Sequence, residues 1–233
     1  LFSVQKTQND FDVTQKRLST GLKVNTALDD AISFFTAQEH RLRAGDLAGR
    51  KDGMSEAIQT IKAANVGVEG ISNLIAQAKS LAQSAMSATA SDASTFATQY
   101  STVMTQINQM ALDSNYKGIN MLQAGELTVD FAPTAGTSTL KLTGFGDSSA
   151  TFNINGLSSE MSTGALGATW TVSGQTTVAT AAIQTSINNL DSAVAELRVQ
   201  SKTLSNNLSI ITAREEFSAQ MINTLGDGAA KLT

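Results

Sequence analysis

Residues that could carry out chemistry are few in this sequence of 233 residues. It contains one histidine, His40, and no cysteine. Disulfides, thiolate catalysis and cysteine-ligated zinc are therefore excluded. Serine–histidine–aspartate chemistry would need His40, which lies between Glu39 and Arg41 in a charged stretch that is typical of a protein surface. We predict that the protein is not an enzyme and that it needs no cofactor.

Metal and phosphate sites are the remaining chemical candidates. The oxygen-bearing side chains near His40 follow no ligand spacing with a known mechanism. Helix capping and ion pairing explain them better. The glycines form neither a GxGxxG run nor a phosphate loop, so we predict no metal or nucleotide site. The candidate metal ligands are Asp29, Asp30, Glu39, His40 and Asp46.

The charge and hydropathy of the sequence argue against nucleic acids and membranes as binding partners. The formal net charge is −4, which argues against nonspecific nucleic-acid binding. The basic cluster Arg41, Arg43, Arg50 and Lys51 contains acidic neighbours and no interleaved aromatics, so it is a weak nucleic-acid signal and favours surface or inter-subunit ion pairs. No apolar run approaches 18 residues, which predicts no transmembrane helix and no membrane partner.

The elements that would position any site are long amphipathic helices. Near the C-terminal end, apolar residues recur every seven positions in two interleaved series, which predicts one continuous helical stripe. No proline or glycine interrupts residues 175–225, and Gly226 and Gly228 predict its end. The first series is Ile183, Leu190, Leu197, Leu204, Ile211 and Leu225; the second is Ile187, Val194, Leu208 and Ile222.

A helix of that length would extend roughly 75 Å, whereas a compact globule of this size has a radius of gyration of only about 17–18 Å. The sequence therefore predicts an elongated molecule. Two further stripes support a bundle of three or four helices. One contains Met54, Ile61, Val68, Ile75 and Ala82 with Ala57, Ala64, Ile71, Ala78 and Ala85; the other contains Phe96, Tyr100, Val103, Ile107 and Met110.

Helix ends and special positions follow from the same patterns. Asp92 is the expected cap of the helix that ends before Gly118, and Asp29 or Asp30 is the expected cap of a helix through Phe34 and Leu42. Gly67 and Gly70 predict close approach between helices. A first helix should run from Leu1 to Leu18 and be interrupted at Ser19–Gly21. Its stripe, Val4, Phe11 and Leu18, has no obvious partner in the chain.

Residues 125–174 switch to a period of two. Short alternating runs at Leu127–Phe131 and Leu140–Leu142 predict a hairpin, and Thr151–Ile154 and Thr169–Val172 predict further strands. The fold class is therefore mainly α: an elongated, rod-like antiparallel helix bundle with long coiled-coil-like helices and a small β-hairpin insert.

One long segment carries a family resemblance. Arg17-Leu18-Ser19-Thr20-Gly21-Leu22-Lys23-Val24-Asn25-Thr26-Ala27-Leu28-Asp29-Asp30-Ala31 resembles the N-terminal signature of bacterial flagellins, and Tyr116–Leu122 is similar to the family's F-N-G-x-x-L-L step. The resemblance implies an inner-tube helix and axial-contact region at 1–42, rod helices at 43–124, a β insert at 125–174 and a C-terminal rod helix at 175–233. It also implies that both ends are truncated.

The resemblance implies a function as well. The chain would be a structural subunit that is exported unfolded by the flagellar type III apparatus and polymerises outside the cell into the filament used for swimming. Its partners would be other copies of itself, an export chaperone and hook-associated or cap proteins. Carried over by motif, the subunit contacts would be Arg17, Leu18, Gly21, Asn25, Asp29 and Asp30.

Many flagellins also carry a rod patch that an innate immune receptor recognises, with a core of approximately R-x-R-E-L-A and an acidic residue on the next helix. The corresponding positions here include Gln77, Leu81 and Gln99. Because the leading arginine and the acidic residue are both replaced by glutamine, we expect weak or no receptor binding.

Two alternative functions remain at this point. A hook–filament junction protein shares the signature, although its Asp-Asp pair is usually flanked by prolines, whereas Leu28 and Ala31 flank it here. A flagellin-like surface adhesin or glycan receptor would place its site in the β insert, around Phe145, Phe152 and Trp170. Packing of Trp170 against the rod is the simpler interpretation.

Overall fold

A computed structural model of the chain describes residues 2–134, 136–145, 170 and 177–233. Within these residues it contains four α-helices and one two-stranded sheet. The helices are α1 (Phe2–Thr20), α2 (Ala31–Met86), α3 (Ala90–Asp113) and α4 (Thr180–Leu232). The strands are β1 (Glu126–Asp130) and β2 (Thr139–Thr143), which pair as a hairpin. The predicted mainly helical fold with a small β-hairpin is confirmed.

The chain forms two compact units. Unit 1 consists of Leu1–Met54, Asp130–Thr139 and Ala213–Thr233, and unit 2 consists of Ser55–Val129 and Leu140–Thr212. Unit 1 therefore holds α1, the first part of α2, the turn of the hairpin and the last part of α4. Unit 2 holds the rest of α2 and α4, all of α3 and most of the hairpin.

The core of unit 2 is built from the apolar stripes that the sequence predicts. From Ala57 to Ala85, the predicted positions of α2 are all buried, and Ile183, Leu190, Leu197, Leu204 and Ile211 of α4 are buried as well. On α3, Tyr100, Val103 and Ile107 are buried, whereas Phe96 and Met110 are half-buried. Seven-residue spacing keeps these side chains on one face of each helix, so that the faces can pack together.

Local side chains form hydrogen bonds with free backbone groups at both ends of α3. The Thr89 hydroxyl accepts a hydrogen bond from the Asp92 backbone N–H at 3.3 Å and donates to its carboxylate at 2.8 Å. The predicted cap at Asp92 is therefore wrong by three residues: Thr89 is the cap, and Asp92 completes a reciprocal pair with it. At the other end, the buried Asn120 amide donates to the carbonyls of Ala111 and Leu112.

Unit 1 is organised around the connection between α1 and α2. Val24 is buried, and the backbone N–H groups of Lys23 and Val24 both donate to the Thr233 carbonyl at the end of α4. The hairpin turn is held by Arg50, which pairs with the Asp130 carboxylate at 3.4 Å and donates to the Pro133 carbonyl at 3.0 Å. Arg214 of α4 lies over the ring of Phe131.

Two predicted element boundaries differ from the structure. The predicted helix end at Gly226 and Gly228 is wrong, because α4 continues to Leu232. Glycine costs a helix only about 1 kcal/mol relative to alanine, and burial of Ala229 offsets that cost. The helix expected to run through Phe34 and Leu42 continues without a break into the stripe that begins at Met54, so that both belong to α2. The predicted strands at 151–154 and 169–172 lie outside the described residues, apart from Trp170.

Candidate functional site

The end of α1 carries three of the residues that were assigned to subunit contacts. Arg17 lies in the last turn, and its carbonyl accepts a hydrogen bond from the Gly21 N–H at 2.8 Å. Gly21 has a φ of +69°, a left-handed conformation that glycine adopts without steric cost and that commonly ends a helix. The neighbouring Leu18 side chain is 86% exposed. This corner therefore turns the chain and presents Leu18 to solvent.

Asp29 organises the loop between α1 and α2. One of its carboxylate oxygens accepts hydrogen bonds from the backbone N–H of Asn25 at 3.0 Å and from the N–H and hydroxyl of Thr26 at 2.9 and 3.1 Å. Asn25 in turn donates through its amide to the Leu22 carbonyl. The bond from the Thr26 N–H, followed by that from Asn25, lowers the pKa of Asp29 from its ordinary value. Asp29 and Asn25 thus fix the shape of the loop.

Asp30 caps α2. Its carboxylate accepts from the Ser33 backbone N–H at 3.1 Å and from the Ser33 hydroxyl at 2.8 Å. Of the two residues predicted as possible caps, Asp30 therefore occupies the position. The Ser33 N–H is also the largest cause that lowers the pKa of Asp30. As with Asp29, the visible partners of this carboxylate belong to its own chain.

Three of the six carried-over residues meet around one small cavity of about 160 Å³ beside α1. It is lined by Arg17, Asn25 and Asp29 together with Asp12, Val13 and Lys16 of α1. Charges of both signs face each other here, and Lys16 adds a small electrostatic contribution to the lowered pKa of Asp29. Leu18, Gly21 and Asp30 lie outside this lining.

Unit 1 exposes several large apolar side chains. We call Val4, Phe11 and Leu18 the α1 stripe; these three side chains are 69%, 63% and 86% exposed. We call Ile32, Phe35 and Leu42 the α2 stripe, and all three are also exposed. Leu28, in the loop between the helices, is 98% exposed. Exposed apolar residues that occur singly are ordinary, but grouped ones mark interaction sites.

The α2 stripe was missed as a candidate surface, although its spacing was visible in the sequence. Ile32, Phe35 and Leu42 follow the helical intervals of three and seven residues. Apolar spacing does not say whether a face is covered within the chain. Here Ala37 and Leu47 are buried, whereas the stripe is not. Only the structure separates the two faces.

The three positions that we expect to correspond to an immune-receptor patch lie in unit 2. Gln77 is exposed on α2, Leu81 is half-buried one turn later, and Gln99 is exposed on α3. The two glutamines therefore present neutral amides where the recognised pattern has an arginine and an acid.

Trp170 packs inside unit 2 rather than on a ligand-binding face. It is 1% exposed, its ring centroid lies 4.7 Å from that of Tyr100, and its indole N–H donates to the Ser186 hydroxyl at 3.3 Å. A buried indole cannot stack on a sugar from solvent. The interpretation of Trp170 as a packing residue therefore fits the structure. Of the other two aromatic residues assigned to a glycan site, Phe145 is half-buried and Phe152 lies outside the described residues.

The described residues contain neither a metal-binding cluster nor a membrane-spanning helix. No group of three or more His, Cys, Asp or Glu side chains in this part of the chain is placed to hold a metal ion. None of the four helices combines the length and apolar character needed to cross a membrane.

Comparisons with known proteins agree with the sequence pattern. Residues 2–126 match the family model described as the bacterial flagellin N-terminal helical region. The crystal structure of Bacillus cereus flagellin is similar, with a TM-score of 0.54 and 17% sequence identity, over 71% of this chain and 88% of that chain. At this identity the likeness concerns the fold. No curated protein matches by sequence. Because the family model covers more than half of the 233 residues, the chain belongs to the bacterial flagellins, the structural subunits that polymerise into the flagellar filament.

Proposed function

We propose that this flagellin contributes to the filament through the exposed apolar residues of unit 1, and that it carries out no catalysis. The observation that supports the proposal is the exposure of the α1 stripe, Leu28 and the α2 stripe, in contrast to the predicted stripe of α2 from Ala57 to Ala85, which is buried. A filament subunit is surrounded by copies of itself, so these side chains have an available partner that the isolated chain lacks.

The energy available from burying this surface is comparable to the cost of association. Full burial of a large apolar side chain contributes about 1.5–3 kcal/mol, so the seven side chains of this surface contribute on the order of 10–20 kcal/mol. Association costs about 4–15 kcal/mol in lost motion and side-chain ordering. The two quantities are similar, which is appropriate for subunits that must assemble only when concentrated at the growing end.

Within this proposal five of the six carried-over residues act in three different ways. Leu18 would contact a neighbouring copy directly, because its side chain is exposed. Asn25, Asp29 and Asp30 would act indirectly, since their side chains bond to their own backbone and shape the segment that presents Leu28 and Ile32. Gly21 would act through its backbone conformation alone.

Single charged substitutions in the α2 stripe test the proposal. We expect Ile32→Asp and Leu42→Asp to reduce filament formation by at least about tenfold, because a buried unpaired carboxylate is strongly unfavourable. The measurement is the sedimentable fraction of the full chain, together with electron microscopy. Gln83→Asp, at an exposed position of the same helix outside the stripe, is the matched control.

The folded state should be unaffected, because both substituted side chains are exposed in the isolated chain. Circular dichroism and thermal melting of unassembled protein check this. If Ile32→Asp and Leu42→Asp assembled as well as the Gln83→Asp control, the proposed surface would be wrong.

The remaining parts of the function also stay proposals. The chain would be exported by the type III apparatus with a chaperone, be placed outside the cell, and meet hook-associated and cap proteins at the ends of the filament.

Recognition by the innate immune receptor should be weak because Gln77 and Gln99 are neutral. Restoring charge with Gln77→Arg and Gln99→Glu should raise receptor-reporter activation; equal activation by both proteins would contradict this expectation.

A further inference from the structure

Unit 2 carries an open groove that the polymerisation surface of unit 1 does not include. It lies between α2 and α3, has a volume of about 660 Å³, and is lined on α2 by residues that include Ala63, Val66 and Leu74. Val66, on this lining, is 70% exposed although it is apolar. The lining of α3 includes Met110 and Asp113.

The shape of the groove follows from two glycines on α2. A β-carbon at Gly67 would collide with the Ser114 side chain, and one at Gly70 would collide with the sulfur of Met110. The predicted close approach at Gly67 and Gly70 is therefore present in the structure. With no side chains at these two positions, Ser114 and Met110 pack directly against the α2 backbone at the base of the groove. Met110 is a flexible side chain that can adapt to an incoming group.

A second surface of unit 2, on α4, has an exposed apolar residue at each end and polar residues between them. Val199 and Ile210 are 55% and 40% exposed. Eleven residues separate them, which is three helical turns, so they lie on one face about 16 Å apart. We call this face the α4 ridge. The α2 side of the groove, from Ala63 to Leu74, also spans eleven residues and therefore the same length.

The charges of groove and ridge are opposite. Asp113 lines the groove, while Lys62 and Glu69, which lie near Val66 in the sequence, offset each other. Beside Val199 the ridge carries Arg198 and Lys202, both exposed. Among the described residues, none of Asp113, Arg198 and Lys202 takes part in an ion pair.

The acidic residues on the preceding turns of α4 are already engaged. Asp191 pairs with Lys79 of α2, and Glu196 accepts a hydrogen bond from the Gln200 amide. A hydrogen bond from a neutral amide leaves Glu196 charged, so this carboxylate offsets one of the two cations, Arg198 and Lys202. Two cations and one carboxylate leave the ridge with a net charge of +1 beside Val199. The groove presents a carboxylate next to Val66 and Leu74. This complementarity supports a second copy of the chain as the occupant.

We propose that the α2–α3 groove of one subunit receives the α4 ridge of a second subunit. Such a contact joins two different surfaces of the same chain, and this kind of contact builds an open helical polymer when its rotation does not close a ring, rather than a two-fold dimer. The inference rests on filament assembly but not on the α1 and α2 stripes, since it uses other residues in the other unit.

Site-specific crosslinking in filaments tests the contact. The chain has no cysteine, so Val66→Cys and Val199→Cys each introduce a single thiol at an exposed position. Equal amounts of the two variants, one lengthened by a peptide tag, are polymerised together and oxidised. A disulfide needs β-carbons about 3.5–4.5 Å apart. We expect the mixed dimer to be at least about fivefold more abundant than in a mixture of Val66→Cys with Ser91→Cys.

Each outcome decides the proposal. Filaments that contain both variants but give no more mixed dimer than the Ser91→Cys control would overturn it and leave the unit 1 surface unaffected. Failure of the Val66→Cys and Val199→Cys chains to enter filaments, while folded and while Ser91→Cys enters, would support it because both side chains would then be needed for contact.

Charge reversal provides an independent measurement. Asp113→Lys and Lys202→Asp should each raise the critical concentration for polymerisation by about threefold, as expected for an ion pair at the edge of an interface. The double variant should return to the wild-type value, because the pair is restored with its charges exchanged. The pairing would be contradicted if the increases in critical concentration of the two single variants multiplied in the double variant. It would also be contradicted if each single variant assembled as the wild type does.

Discussion

Asp29 and Asp30 are adjacent in the sequence but have separate structural functions. Asp29 closes the loop onto Asn25 and Thr26, whereas Asp30 starts α2 by binding Ser33. Both carboxylates are exposed, and both have a lowered pKa because backbone N–H groups bind the ionised form. The Asp-Asp pair can thus be explained by the local backbone without any partner molecule.

The lowered pKa values predict how this segment responds to acid. A carboxylate with a lower pKa in the folded state stabilises that state above its unfolded pKa, about 3.9 for Asp. This contribution is lost as the pH falls through the lowered folded value. We therefore expect the amide signals of Asn25 and Thr26 to stay constant from pH 7 to about 4.5 and to shift only below about pH 4. NMR titration measures this.

The substitution Asp29→Asn should remove most of that acid response at Asn25 and Thr26 and speed hydrogen exchange of their amides. Asp30→Asn is a matched control, because it should affect the Ser33 amide and leave the other two unchanged. An equal effect of both substitutions on all three amides would contradict the separate roles.

The backbone of Lys117 adopts a left-handed conformation that is unfavourable for a residue with a long side chain. Its φ is +50°, and Gly118, which follows, has a φ of +83°. Asparagine and glycine tolerate this region better than lysine does. We expect Lys117→Asn to raise the melting temperature by a few degrees in a Glu56→Gln background, in which the exposed ion pair between Lys117 and Glu56 is already absent. A lower melting temperature in that background would contradict the strain.

At the level of elements, α2 uses glycine in two different environments. Gly67 and Gly70 face neighbouring side chains, whereas Gly45, Gly49 and Gly53 have no atom within 4 Å of an added β-carbon. Gly49 follows Leu42 by seven residues, which places it on the face of the α2 stripe. The exposed glycines thus extend the proposed contact face with a smooth stretch that another helix can approach closely.

This difference predicts opposite effects of the same substitution. Gly49→Ala should raise the free energy of unfolding by up to about 1 kcal/mol, since alanine favours helix and meets open space. Gly67→Ala should lower it by about 1–3 kcal/mol, because its methyl group would displace Ser114. Chemical denaturation of unassembled chains measures both, and a stabilising Gly67→Ala would contradict the packing.

In the filament, Gly49→Leu should impair assembly although the folded chain tolerates it.

For the whole molecule, the buried and exposed apolar stripes should separate stability from assembly. Leu197 is completely buried in unit 2, so Leu197→Ala should cost about 2–5 kcal/mol of unfolding free energy. Leu42→Asp should change that free energy by less than about 0.5 kcal/mol, as is usual for an exposed position. Only the second substitution should block assembly at temperatures where both chains are folded, as measured by sedimentation.

Much of the architecture could be predicted because long helices bury residues at regular intervals. The stripes of α2 and α4 in unit 2 are buried where the spacing places them. The predicted helix boundaries were less accurate. Thr89, and not Asp92, caps α3, and α4 continues beyond Gly226 and Gly228 to Leu232. Capping depends on which oxygen reaches a free N–H, and a glycine in a helix is tolerated when its neighbours are packed, so both depend on three-dimensional contacts.

The amino-acid sequence alone determined the helical periodicity, the absence of thiol chemistry and, through the signature from Arg17 to Ala31, the family. Only the tertiary structure decided which apolar residues lack a partner within the described chain. Val68 and Val66 are two residues apart on α2, yet Val68 is 5% exposed and Val66 is 70% exposed. Periodicity sets the side of a helix on which a residue lies, but its solvent exposure depends on whether another element covers that side.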